Sequence, residues 1–231
     1  MTGKRTFELM STEVYLVTGA SRGLGAGIAR QLHEKGDKVL GVVRGTGEWV
    51  YPTFRVDLLE EHAAESLVTY LKDSDFRLKG WIHAAGLLNK MDIGRWDAKQ
   101  SEEMWRLHVR FPMAFMSSSL SQWMSGGHIV QLSSMSGFPG SARFSGLSAY
   151  GATKAAQASL VESWAEELKA WGISANALAL GSVRTEMLAQ AFPGYEGGVE
   201  VEKMASWVVQ FLKTGHEVMN GKTLPLALHT P

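Results

Sequence analysis

The chain has no cysteine among its 231 residues, which excludes a disulfide framework, a thiol nucleophile and a cysteine metal site. It has no surplus of either charge: 23 Lys and Arg face 23 Asp and Glu. That balance argues against a dedicated nucleic-acid or anionic-membrane partner, both of which favour basic surfaces. No apolar run reaches membrane-spanning length, and the N-terminal residues lack a signal-peptide hydrophobic stretch. The six prolines form no linker, and there is no internal repeat to divide the chain. Histidines 33, 62, 128, 216 and 229 lie scattered, without His-x-x-x-His spacing or carboxylate clusters, so no metal site is expected. These absences predict a cytoplasmic protein with no nucleic-acid or membrane partner.

What remains is ordinary globular material, 45% hydrophobic, long enough for one sizeable core and short for two domains. Residues 1–12 read as a polar tail, with Met10 as an alternative start, and 13–231 as a single domain. Within it, strand-like segments near 13–18, 38–43, 53–56, 80–84, 127–133, 173–179 and 223–228 alternate with helical ones. The helices fall near 23–35, 60–72, 101–124, 149–171 and 201–213. Alternation of this kind predicts an α/β fold, a Rossmann-like doubly wound parallel sheet of about seven strands with helices on both faces. The segment Ser182 to Val199, with Pro193, Gly194, Gly197 and Gly198, is irregular and reads as a lid or binding loop.

Two motifs carry chemistry. Tyr150 and Lys154 stand four residues apart, which on a helix places both on one face. An ammonium beside a phenol favours the phenolate, so the spacing predicts a lowered Tyr150 pKa and a general acid/base. The second motif follows the apolar run Val14–Val17: Thr18-Gly19-Ala20-Ser21-Arg22-Gly23-Leu24-Gly25. A buried strand running through a glycine turn into a helix presents backbone N–H groups to a phosphate. The spacing is Gly-x-x-x-Gly-x-Gly rather than the common Gly-x-Gly-x-x-Gly.

These motifs do not stand alone. Asp57 follows the third strand, His83-Ala84-Ala85-Gly86 the fourth, and Ile129 to Ser134 form the fifth. Asn176 to Thr185, including Gly181, Val183 and Thr185, complete the series. In that order the chain resembles the short-chain dehydrogenase/reductase superfamily over essentially its whole length. The resemblance implies hydride transfer between a nicotinamide cofactor and a carbonyl or alcohol substrate. Tyr150 would be the proton donor in reduction, Lys154 would hold the nicotinamide ribose and tune Tyr150, and Ser134 would bind the substrate oxygen. Ser133 is its competitor, and the sixteen-residue spacing to Tyr150 selects Ser134. It also implies dinucleotide contacts from Gly19, Ser21, Arg22, Gly23, Leu24, Gly25, Asp57, Leu58, Ala84, Ala85, Gly86, Gly181, Val183 and Thr185. A homodimer or homotetramer paired through the two long helices is expected from the same resemblance.

Two positions depart from the family pattern. His83 stands for the first asparagine after the fourth strand, and His108 stands where the fourth catalytic residue is an asparagine. Pro112, four residues after His108, has no N–H to give the His108 carbonyl. In the resembling enzymes this backbone carbonyl anchors the relay water that leads to the lysine. The resemblance thus implies that a free carbonyl here keeps the site active, and His108 is retained as a catalytic-set position. At the end of the second strand an acid would bind the adenine ribose of NAD. Here Val43 fills the position and Arg44 follows. Arg44 and Arg22 together suit a 2′-phosphate, predicting NADP(H) over NAD(H). Asp57 would meet the adenine in either case. The substrate walls, from Leu87, Leu88, Met135–Phe144 and Leu180–Phe192, are mainly apolar. Two other readings remain open: a non-catalytic NADP(H) sensor or scaffold, and a reductase of C=N or pteridine-type rings.

Overall fold

The computed structural model describes residues 11–228. The expected tail, apart from residues 11 and 12, the alternative start and His229 lie outside them. Seven parallel strands form one sheet in the order β3-β2-β1-β4-β5-β6-β7. They are β1 Thr12–Thr18, β2 Val39–Val43, β3 Thr53–Arg55, β4 Phe76–His83, β5 Trp123–Ser134, β6 Ser174–Leu180 and β7 Thr223–Leu226. The strand order reverses between β1 and β4, which opens a crevice at their carboxyl ends, where open α/β sheets bind ligands.

Helices cover both faces. α1 Gly23–Glu34 and α7 Val201–Thr214 pack on one; α2 Ala63–Asp73, α4 Phe111–Ser119 and α5 Ser148–Glu167 pack on the other. Along β1 the alternation is direct. Val14 and Leu16 enter the core under α2, α4 and α5, whereas Tyr15 and Val17 enter the core under α1 and α7. A strand buried on both faces needs apolar side chains at every position, hence the run that marked β1 in the sequence. No helix among the described residues is long and apolar enough to cross a membrane.

The expected helix over 101–124 is three pieces: α3 Ala98–Trp105, a π turn Arg106–Arg110, and α4, after which a 3-10 turn leads into β5 at Trp123. Asp97 caps α3 by accepting from the Gln100 N–H at 2.9 Å. At the π turn the Phe111 N–H bonds the Arg106 carbonyl, five residues back. Its usual acceptor, the Leu107 carbonyl, is thereby released, and Pro112 has no N–H for His108. β4 and β5 each begin four residues before their expected starts, because Thr12–Val14 pair with Phe76–Leu78 and Leu78 pairs with Trp123. The irregular segment contains a short helix, α6 Glu186–Ala191, capped by Thr185 on the Leu188 N–H at 3.3 Å.

Candidate active site

A cavity of about 380 Å³ opens over the switch between β1 and β4. Every position assigned to the dinucleotide lines it, from the Gly19–Gly25 turn through Arg44, Asp57, Leu58 and Ala84–Gly86 to Gly181, Val183 and Thr185. Ser134, Tyr150 and Lys154 line the same cavity. His108 does not reach its wall and is fully buried behind it.

The glycine turn is built for close approach. A Cβ on Gly25 would sit 2.2 Å from the Gly19 carbonyl oxygen, and one on Gly19 would sit 2.6 Å from the Ala85 backbone. Gly19 also has φ +75°, where side chains are strained. Arg22 precedes α1 in extended conformation, and no side chain caps the helix. The first N–H groups of α1 therefore face the cavity without an internal partner, which suits a pyrophosphate. The residues present fit a nicotinamide dinucleotide.

Both candidate phosphate-binding arginines already meet carboxylates. Arg22 bonds Glu186 of α6 at 2.6 Å, tying the glycine turn to the α6 segment, and Arg44 lies 4.0 Å from Asp57. Val43, where an acid would select NAD, is buried.

Ser134, Tyr150 and Lys154 are brought together by a tight crossing. The turn Met135–Gly137 lies on α5 so closely that a Cβ on Gly151 would come 2.6 Å from the Ser136 carbonyl oxygen. A Cβ on Gly137 would meet the backbone of Ala155 at 2.5 Å. Ser133 and Ser134 have different work. The Ser133 hydroxyl donates to the Lys154 carbonyl at 2.7 Å, whereas Ser134 accepts from the Ser136 N–H and turns toward Tyr150.

The expected lowering of the Tyr150 pKa is absent from this structure. Burial pushes the phenol up to about 12, against a smaller opposing effect of the Ser134 hydroxyl. Burial also brings Lys154 down to about 7. Its ammonium lies 5.7 Å from the Tyr150 ring centre and donates instead to the Leu132 carbonyl at 2.9 Å and to Gln157 Oε1 at 2.8 Å. Desolvation of both groups outweighs their mutual attraction at that separation.

The two unexpected histidines are neutral connectors. The Leu87 N–H donates to His108 Nε2 at 3.0 Å, so the His108 proton resides on Nδ1 and faces Thr153 Oγ1 at 2.8 Å. The Thr153 hydroxyl then donates to the Tyr150 carbonyl at 2.8 Å. This chain joins the loop after β4 to the helix that carries Tyr150. Burial, then the Lys154 charge, holds His108 well below the usual histidine range. His83 Nε2–H donates to the Leu107 carbonyl at 3.1 Å, the acceptor that the π turn released. Its Nδ1 accepts from the Thr18 hydroxyl at 2.7 Å, and burial lowers its pKa to about 3. Sequence reasoning noticed both histidines but missed these partners. It also missed Gln157 and Gln131, which contact Lys154 or one another inside the core.

The sequence profile of the short chain dehydrogenases matches residues 13–196, and the chain belongs to that family. It is 24% identical over 202 residues to the 1-hydroxy-2-glutathionyl-2-methyl-3-butene dehydrogenase of a Rhodococcus species, covering 84% of this chain and 88% of that one. It is 27% identical over 195 residues to an uncharacterized oxidoreductase of Staphylococcus saprophyticus, covering 77% and 81%. The fold superposes on a Burkholderia cenocepacia short chain dehydrogenase in complex with NADP, with TM-score 0.81, 22% identity and coverage of 92% and 95%. A blue fluorescent protein from a metagenomic library, in complex with NADPH, gives 0.81 at 22% identity, covering 94% and 96%. The protein is thus an oxidoreductase of this family, dependent on a nicotinamide dinucleotide and acting on a small molecule.

Proposed function

We propose that the protein is an NADP(H)-dependent carbonyl reductase or alcohol dehydrogenase. The observation that carries the reading is the convergence of Ser134, Tyr150 and Lys154 on the wall of the cavity that the glycine turn enters. The bound cofactor supplies or accepts the hydride; the chain positions and polarises the carbonyl. Ser134 binds the substrate oxygen. Tyr150, whose pKa of about 12 keeps its proton at neutral pH, donates that proton to the oxygen in reduction. Lys154 holds the nicotinamide ribose and steadies the developing phenolate. His108 and His83 hold the surrounding backbone rather than touching substrate. The relay water of the family would rest on the His108 carbonyl, which Pro112 deprives of its usual helical donor.

Preference for NADP(H) over NAD(H) rests on Val43 in place of an acid and on two nearby guanidinium groups. Arg44, 72% exposed and only loosely matched to Asp57, is the freer of the two. Arg22 must leave or share Glu186 to reach a 2′-phosphate. The mouth of the cavity carries an edge-to-face pair, Phe144 and Phe192, centred 5.7 Å apart. With Leu87, Leu88 and Met187 beside them, this suits a neutral, partly hydrophobic carbonyl compound. We place the protein in the cytoplasm as one domain per chain, in a homodimer or homotetramer. The half-exposed Trp105 and Met113 on α3 and α4 would lie in the shared face.

The test is NADPH oxidation against a panel of aldehydes, ketones and quinones, with cyclic imines and pterins as a second arm. Carbonyl turnover that falls by about a thousandfold in Tyr150→Phe, with NADPH binding retained, is the expected result. Lys154→Ala should lose both rate and cofactor affinity. Undiminished turnover in Tyr150→Phe refutes the assignment, and activity confined to imines or pterins moves the reading to C=N chemistry.

A further inference from the structure

A lysine buried without a carboxylate needs acceptors from somewhere, and none of the ion pairs among the described residues includes Lys154. Its two acceptors are the Leu132 carbonyl and Gln157 Oε1. Gln157 lies three residues further along α5, on the same face, and is completely buried. An ammonium can only donate, so the Gln157 amide oxygen faces Lys154 and its NH2 group points away. That NH2 donates to Gln131 Oε1 at 3.2 Å. Gln131 is also completely buried, sits beside His83 in the β4–β5 register, and its own NH2 nitrogen has no partner. The result is a one-way file of donors from Lys154 into the core.

Such a pair is costly as packing. Two buried amides replace side chains that would gain by burial, and one of them ends in an unsatisfied donor. The neighbouring buried position Val161 is apolar, so the site has no general need for polar groups. What the pair does have is contact with the one lysine that reaches the cavity wall from α5.

We propose that Gln157, backed by Gln131, is a positioning residue that anchors the Lys154 ammonium on the Leu132 carbonyl and thereby sets how Tyr150 and Lys154 share their proton. The proposal rests on the function proposed above for that pair. Two of the three ammonium donors are fixed, and one remains for Tyr150 or the nicotinamide ribose. The titratable groups facing Lys154 are Tyr150 from its own helix, His108 from the π turn and His83 from β4. Both histidines are neutral at working pH, so neither replaces the Gln157 oxygen as an acceptor for the charge. Loss of that oxygen favours the neutral amine and the neutral phenol together, which is the microstate unable to abstract a proton from an alcohol.

The experiment follows Lys154 directly by NMR in protein labelled with 13C at the lysine ε-carbon, its signal identified by its disappearance in Lys154→Arg. Gln157→Met keeps the volume and removes the acceptor; Gln157→Glu keeps the shape and adds a charge. The Lys154 midpoint should fall by a unit or more in Gln157→Met, about tenfold in proton affinity, and rise in Gln157→Glu. The pH profile of alcohol oxidation should move in the same two directions, with KM for the alcohol changing far less than kcat. If Gln157→Met does not fold, the direction of the shift in Gln157→Glu decides alone. Midpoints unmoved in the folded variants overturn the proposal, even where carbonyl turnover is normal. Shifted midpoints in a protein without turnover on any carbonyl or alcohol uphold the anchoring and overturn the proposed function instead.

Discussion

Three buried histidines make the fold sensitive to mild acid. His83, His108 and His128 are each at most 1% exposed, and each is wired as a neutral ring. For His128, Nδ1–H donates to the Leu212 carbonyl at 2.9 Å and Nε2 accepts from the Asn176 amide at 2.9 Å. Burial lowers His83 to about 3 and His128 to about 4, and holds His108 well below the ordinary value. The folded pKa values are depressed, so the unfolded chain binds these protons first. The histidine contribution is flat well above about 6.5, falls as pH drops toward the folded values, and levels below them. At pH 5 the unfolded rings are almost fully protonated and the folded ones are not, which costs about 2 kcal/mol for each of His83 and His128. The pair removes about 4 kcal/mol, and His108 adds in the same direction, out of a typical total of about 5–15 kcal/mol. Lys154 titrates from about 7 upward, and its neutral folded form gains relative stability on the alkaline side of this window. Urea unfolding followed by tryptophan fluorescence at pH 7.5, 6 and 5 should show the midpoint falling steeply between the last two. His128→Gln, which keeps a donor and an acceptor but cannot titrate, should shrink the loss by about 2 kcal/mol. A midpoint unchanged from pH 7.5 to 5, or a variant as acid-sensitive as the parent, refutes the neutral wiring.

Two further outcomes test the cofactor site and the π turn. Arg44→Ala should raise the NADPH dissociation constant about tenfold, about 1.4 kcal/mol, and leave NADH and folding stability unchanged, as calorimetric titration would show; equal losses for both cofactors refute the 2′-phosphate assignment. His108→Asn should keep kcat within about tenfold, about 1.4 kcal/mol of barrier, because an amide can still accept from the Leu87 N–H. Pro112→Ala should cost more, since a restored N–H can recapture the carbonyls released around the π turn and redraw the helix beneath Thr153; the reverse ranking of kcat overturns the relay reading.

The parts of this molecule legible in its sequence are those where backbone geometry leaves few choices. A strand buried on both faces demands a continuous apolar run, and a turn whose Gly25 carries no room for a Cβ beside Gly19 demands glycine at that spacing. The seven strands and the glycine turn followed from such demands, whereas the other positions lining the cavity came from the family resemblance. The errors arose where a local pattern was completed by a distant partner. Residues 101–124 have the periodicity of one long helix, and nothing within them announces that Phe111 bonds Arg106. The π turn becomes acceptable because His83, on a strand, satisfies the Leu107 carbonyl it frees. Seen alone, His83 was a departure from a family pattern; beside Leu107 it is the compensation for a second irregularity. The short helix α6 did leave a signal, Thr185 before Glu186 with Leu188 following, hidden by the glycines and proline around it. Gln157 left none, because a glutamine three residues after a lysine on a helix reads as a solvated face. Only burial reveals it as an acceptor for the lysine, and the same burial reverses the sign expected for Tyr150. Proximity of charges is visible in a spacing of four residues, but desolvation is a property of the whole core, and here desolvation is the larger effect.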